Sequence, residues 1–260
     1  MMRRESALPL AAMMLAFWPV WIWFAKGIVD RSNDYSGLLA GATVIAVLVR
    51  ARPAGAVSSP LALPAAAVSL YLAAVMCEVS PGIAAVIAAL GLAAFASAWR
   101  MGRRCDLALA ALCVLALPLA ASLQFYLGYP LRVLAGCLTA AMLNMNGITA
   151  VREGASLLWD GRVIAIDAPC SGVRMLWTGI YLSCALAALS GMKSRHTLVA
   201  VAAATAIVVL ANAVRAAALF YTESGILHLP PWAHETVGMF CFVAAALAIA
   251  WSTQRIKVAP

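Results

Sequence analysis

At 260 residues, 65% hydrophobic and 11% charged, the chain carries more apolar surface than a soluble domain of its size can bury, which excludes a soluble enzyme or binding module. A mean hydropathy of +0.96 and apolar runs near 20 residues mark a polytopic membrane protein, read as a single integral membrane domain over residues 1–260. The formal net charge of +8 is dispersed between the apolar runs, so it encodes topology, and no nucleic-acid partner is expected.

The N-terminal Met1-Met2-Arg3-Arg4 and the apolar run behind it resemble a secretory signal. No small-residue cleavage site follows, and Trp18, Trp21 and Trp23 read as an interfacial belt, so this run is expected to remain as the first helix. Spans are predicted at roughly 8–25, 36–49, 61–77, 81–99, 106–126, 172–190, 197–222 and 237–253. Several are Ala- and Gly-rich, which suits close helix packing. The expected fold is thus an all-α polytopic membrane protein of about eight transmembrane helices.

Charge orients these spans. With the N-terminus in the cytoplasm, the inner segments hold eleven basic residues (Arg3, Arg4, Arg50, Arg52, Arg100, Arg103, Arg104, Lys193, Arg195, Arg255 and Lys257) against the acids Glu5 and Asp106. The outer segments hold five (Lys26, Arg31, Arg132, Arg152 and Arg162) against eight acids: Asp30, Asp34, Glu78, Glu153, Asp160, Asp167, Glu223 and Glu235. The excess of inner positive charge favours eight spans with both termini cytoplasmic. A long loop, residues 127–170, then falls outside. Leu131 to Met145 is read as an apolar helix lying at the interface. Val151 to Ile166 is read as two short strands around Trp159-Asp160-Gly161, an Asp-Gly turn signal. This outward-facing hairpin, ahead of the sixth span, delivers the chain to Cys170.

The seven cysteines, at 77, 105, 113, 137, 170, 184 and 241, form no Cys-x-x-Cys pair, so neither dithiol nor zinc chemistry is indicated, and no metal or cofactor is expected. Six lie in apolar stretches and read as small buried hydrophobes. Cys170 differs. It begins Cys170-Ser171-Gly172-Val173-Arg174, where a polar segment turns into a helix and an arginine follows one turn on. A thiol at a helix N-terminus near a guanidinium is the setting that favours a thiolate. Arg215, in Asn212-Ala213-Val214-Arg215, is expected about seven residues, roughly 10 Å, below the outer end of the seventh span. His234 is expected just outside the eighth, with His228 competing for its role, while His196 falls on the cytoplasmic side. Each has an ordinary reading: a structural cysteine, a snorkelling arginine, a solvated loop histidine. Asn212 alone reads as an interhelical hydrogen-bonding residue, and Arg174 as a snorkelling or thiol-supporting one. Their coincidence at one depth and on one side favours function. The chemistry is coherent: a thiolate attacks an amide carbonyl, an arginine stabilises the oxyanion and an imidazole protonates the leaving amine.

In this order, Cys170-Ser171-Gly172-Val173-Arg174, Asn212-Ala213-Val214-Arg215 and His234-Glu235-Thr236-Val237-Gly238 resemble the motifs of the exosortase/archaeosortase family. The resemblance covers most of the chain, because members are likewise polytopic with these motifs in their last spans. It implies a membrane-embedded cysteine endopeptidase or transpeptidase of the cell inner membrane. Its substrates would be exported proteins ending in a sorting signal: a short motif such as Pro-Glu-Pro, a transmembrane helix and a basic tail. It further implies Cys170 as nucleophile, Arg215 as oxyanion partner and His234 as acid/base, with Ser171, Arg174 and Asn212 in support. Water, an amine or a lipid acceptor would resolve the thioester on the periplasmic or extracellular side. Many members carry Ser-His-Gly after the first span; Asn33-Asp34-Tyr35-Ser36-Gly37 lacks that histidine, and the chain ends soon after its last span, which points to a variant subfamily. The other classes weighed are a lipid-linked saccharide transporter or flippase, which would need a polar path through the bilayer, and an inactive scaffold that binds the same signals.

Overall fold

The computed structural model describes residues 4–30, 35–51, 61–166, 171–228, 230 and 232–258. Cys170 lies outside the described residues, as do Arg3, Arg31, Asn33, Asp34, Arg52 and Asp167. The chain divides into two compact units, residues 1–120 with 184–198, and residues 121–183 with 199–260.

The first unit opens with α1 (Arg4–Ala16) and α2 (Trp18–Val29), set at 63° to each other. The bend falls where Pro19 lacks the amide needed to continue the helix and disfavours helical geometry in the residue before it. Phe17, at the corner, is fully buried and packs edge-on against Tyr71 at 4.9 Å. Next come α3 (Ser36–Arg50), α4 (Ala62–Met76), α5 (Pro81–Ala96), which runs on through a π-helical turn at Ser97–Met101, and α6 (Leu107–Leu115). Small residues bring α4 and α5 together: a Cβ on Gly91 would meet the Ala67 methyl at 2.8 Å.

Polar side chains secure one end of this unit. Arg100 donates through Nε and Nη2 to the Leu48 carbonyl at 3.2 and 2.8 Å, near the C-terminus of α3. Asp106 is 2% exposed and caps α6, its Oδ1 accepting the Leu109 amide at 3.0 Å. Its Oδ2 accepts from Arg103 Nη1 at 2.6 Å, and Arg103 also donates to the carbonyls of Gly191 and Met192, both at 3.1 Å. Gly191, at φ +64, ends α8 (Val173–Leu189) with the paired 188 and 187 carbonyl bonds of a Schellman turn, before α9 (Ser194–Glu223) begins. Asp106→Ala removes a helix cap and strands the Arg103 charge. Because Arg103 is partly solvated, the loss should sit at about 2–4 kcal/mol. Thermal unfolding in detergent should show a lowered Tm for Asp106→Ala and a smaller drop for Asp106→Asn, which keeps the cap.

The second unit starts with α7 (Ala120–Met145), followed by strands β1 (Val151–Glu153), β2 (Ser156–Trp159) and β3 (Arg162–Ala165), and closes with α10 (Trp232–Val258). The expected span at 106–126 is divided. Helix α6 ends after nine residues, Pro118 lies in the break, and a new helix runs unbroken through the stretch expected to lie at the interface. The hairpin is also larger than its sequence indicated, with three antiparallel strands in the order β1-β2-β3. Asp160 (φ +49) and Gly161 (φ +70) form the expected Asp-Gly turn, both central residues left-handed as a two-residue hairpin requires. The added strand turns back at Gly154 (φ +60). Leu157 is buried, and Trp159 meets Phe220 of α9 edge to face at 5.7 Å, which fixes the sheet on the helix. Helix α8 approaches α9 through Gly179, where a Cβ would lie 2.5 Å from Val208.

Among the described residues, four helices are long and apolar enough to cross a membrane: Pro81–Met101 (counting the π turn), Ala120–Met145, Ser194–Glu223 and Trp232–Lys257. A fifth is made if the bent pair α1–α2 acts as one. The protein is therefore an all-α multi-pass membrane protein. The count of eight is not reached by helix length, since α3, α4 and α8 have only 15, 15 and 17 residues.

Candidate active site

In the second unit, Ser171, Arg174 and Asn212 meet at the start of α8, while Arg215 and His234 lie along the facing ends of α9 and α10. Ser171 is 3% exposed. Its hydroxyl accepts the Val173 amide at 3.4 Å and donates to Gln124 Oε1 of α7 at 3.3 Å. The Gly172 carbonyl then accepts the Leu176 amide at 2.8 Å, the first bond of the helix. Gly172 is left-handed, at φ +81, and a Cβ there would lie 2.9 Å from the Asn212 amide of α9. Backbone and packing both demand glycine here. The Ser-Gly turn is thus held from α7 by Gln124 and closed against α9 by Asn212, and Cys170 is the residue immediately before it.

Arg215 lies three residues beyond Asn212 on the same face of α9. Its guanidinium rests against Gly238 of α10: a Cβ on that glycine would be 3.2 Å from Nε and 3.6 Å from Cζ. Arg215 Nε is buried and has no hydrogen-bond partner among the described residues. One turn earlier on α10, His234 Nδ1 stands 3.9 Å from Glu223 Oε1 at the end of α9. The spacing of His234 and Gly238 acquires a physical meaning: the glycine is a seat for the arginine, and the histidine is the next residue along that face. Gly238→Ala should displace the guanidinium by a few tenths of an ångström and Gly238→Leu should evict it, so activity should fall in that order while membrane abundance holds.

Arg174 sits on the first turn of α8, exposed, its carbonyl accepting the Thr178 hydroxyl at 2.9 Å. His228 is exposed in the turn after α9, before the start of α10. A small, largely apolar groove opens beside Ser171 and Gly172, walled by Leu131, Leu134, Leu176, Val208 and Asn212. Among the described residues no three His, Cys, Asp or Glu side chains come close enough to share a metal ion.

Two residues were missed in the sequence. Gln124 was absorbed into a predicted span, although an amide in Leu123-Gln124-Phe125-Tyr126 with a glycine four residues on was a visible signal. That glycine makes its room, since a Cβ on Gly128 would strike Gln124 Nε2 at 2.7 Å. Glu223 was counted only as an outer charge.

A family model described as transmembrane exosortase (Exosortase_EpsH) matches residues 7–251. No curated protein matches the chain, and no solved structure does.

Proposed function

The chain belongs to the transmembrane exosortase family, and from that premise we propose that it is a cysteine endopeptidase or transpeptidase that removes C-terminal sorting signals from exported proteins. In this reading both termini are cytoplasmic, the membrane is the cell inner membrane, and the Ser171–Asn212–Arg215 end of the second unit faces the periplasm or exterior. The substrate's transmembrane helix docks from the bilayer and presents the peptide bond beside it to Cys170.

The Cys170 thiolate adds to the scissile carbonyl, and negative charge moves onto the carbonyl oxygen. Arg215 meets that charge. Arginine remains cationic when partly desolvated, and its donors lose less to water in an apolar setting than they would in solution. His234 protonates the leaving amine, releasing the transmembrane fragment and leaving a thioester. Water, an amine or a lipid acceptor then attacks the thioester, and Cys170 is regenerated.

The observation that carries this reading is the buried, unpartnered Nε of Arg215, one helical turn along α9 from the Asn212 that packs on Gly172. A resting protein leaves such a donor unsatisfied at a cost of about 1–3 kcal/mol, which a substrate oxygen would recover. A transporter would instead need polar groups along the unit, yet α9 offers only Thr205 between Val199 and Leu210. The test is reconstitution in liposomes with a membrane-anchored reporter ending in a short motif, an apolar helix and a basic tail. Loss of the C-terminal fragment, blocked by a thiol-directed reagent, is the expected result. An intact reporter still bound to the protein would indicate a scaffold.

A further inference from the structure

We propose that Arg132 and Arg152 form a binding site for the phosphate of an anionic phospholipid headgroup, in the leaflet on the side of the β-sheet. The proposal is independent of the catalytic reading. Arg132 lies on α7, an apolar helix on which a cation needs either a partner or access to the headgroups. Its contacts are its own helix and a ring: Nε donates to the Gly128 carbonyl at 3.4 Å, and the guanidinium stands 5.8 Å from the centre of Tyr129. Among the described residues no carboxylate pairs with it.

A second arginine packs on the same helix. The stem of Arg152 crosses Gly136, one turn along α7 from Arg132, where a Cβ would be 3.5 Å from its Cγ and Cδ. Arg152 Nη1 donates to the Gly154 carbonyl at 2.9 Å. A Cβ on Gly154 would in turn lie 3.7 Å from the Tyr129 hydroxyl. The Tyr129 ring thus lies beside Arg132 and its hydroxyl near Gly154, the residue whose carbonyl Arg152 holds, while Glu153 alternates to the opposite face of β1. Two forked cations and a phenol on one side are the donor set that a phosphodiester takes.

The neighbouring surface says which anion. Phe125, Tyr129 and Arg132 follow one another at helical spacing on one stripe of α7. Phe125, Tyr126 and Tyr129 are 80%, 72% and 56% exposed. Exposed aromatic rings beside a cation mark the boundary between hydrocarbon and headgroups. Acyl chains would lie along Phe125 while the phosphate meets the two arginines. An acidic segment of a polypeptide would use the arginines but leave this aromatic stripe bare.

The test is native mass spectrometry of the full-length protein in neutral detergent, titrated with phosphatidylglycerol or phosphatidylcholine. Wild type should prefer phosphatidylglycerol. Arg132→Gln and Arg152→Gln should each weaken that binding about fivefold, the factor a basic residue contributes near an anionic headgroup. The double variant should bind both lipids alike. Arg152 is exposed on a short strand, so its variant should keep the unliganded Tm and report on the site even if Arg132→Gln unfolds. Unchanged phosphatidylglycerol binding in Arg152→Gln and in the double variant would overturn the proposal, as would equal binding of the two lipids by wild type. Displacement by millimolar glycerol 3-phosphate would reveal a soluble-phosphate site. Loss of reporter binding with lipid binding intact would reveal a peptide site. Either would likewise overturn it.

Discussion

Cys170→Ala should abolish release of the C-terminal fragment, with a fall of at least about a thousandfold, because no other group can form the thioester. The protein should still reach the membrane in normal amount. Cys170→Ser should be nearly as impaired, since a serine hydroxyl is far less ionised than a thiol. The other cysteines supply the control. Cys77 is exposed and Cys184 fully buried, and their alanine variants should process the reporter at close to the normal rate. A slow substrate, quenched in acid, should leave a covalent adduct on Cys170 alone, and hydroxylamine should remove it as it removes a thioester. Normal processing by Cys170→Ala would end the nucleophile assignment and with it the proposed mechanism.

What could be read beforehand depended on whether the signal was local. The Asp160-Gly161 turn was legible because two left-handed residues between apolar runs admit few structures. The apolar segments were legible because burying or embedding them is the largest energy in the chain. The fifth span was misplaced because hydropathy alone runs smoothly across Leu117-Pro118-Leu119, and only backbone bonding stops there. The third strand was missed because Val151-Arg152-Glu153 is short and wholly exposed, with no alternation to detect. In the site, the Ser171, Asn212, Arg215 and His234 positions came from motif spacing. Their supports did not. Gln124 acts through a contact 47 residues away, and Gly238 matters for the side chain that it lets in, which no property of the glycine itself announces.

Arg215→Ala separates function from architecture. If the arginine stabilises the oxyanion, its loss should lower kcat about a hundredfold to a thousandfold, the usual effect of removing one such donor, with a smaller change in KM. Arg215→Lys should recover little, because an ammonium cannot lie flat against Gly238 and present the same fork. Stability should behave differently. In the resting protein Arg215 Nε is already buried without a hydrogen bond, so truncation breaks none there and removes a group that is costly to bury. The Tm of Arg215→Ala in detergent should therefore match that of wild type or exceed it. A structural arginine would give the opposite pattern, with activity, abundance and Tm falling together, and that result would return Arg215 to the role of a helix-packing residue. A stable but inactive variant would place the energetic purpose of this arginine in the transition state, which is where a buried Nε without a hydrogen bond has something to gain.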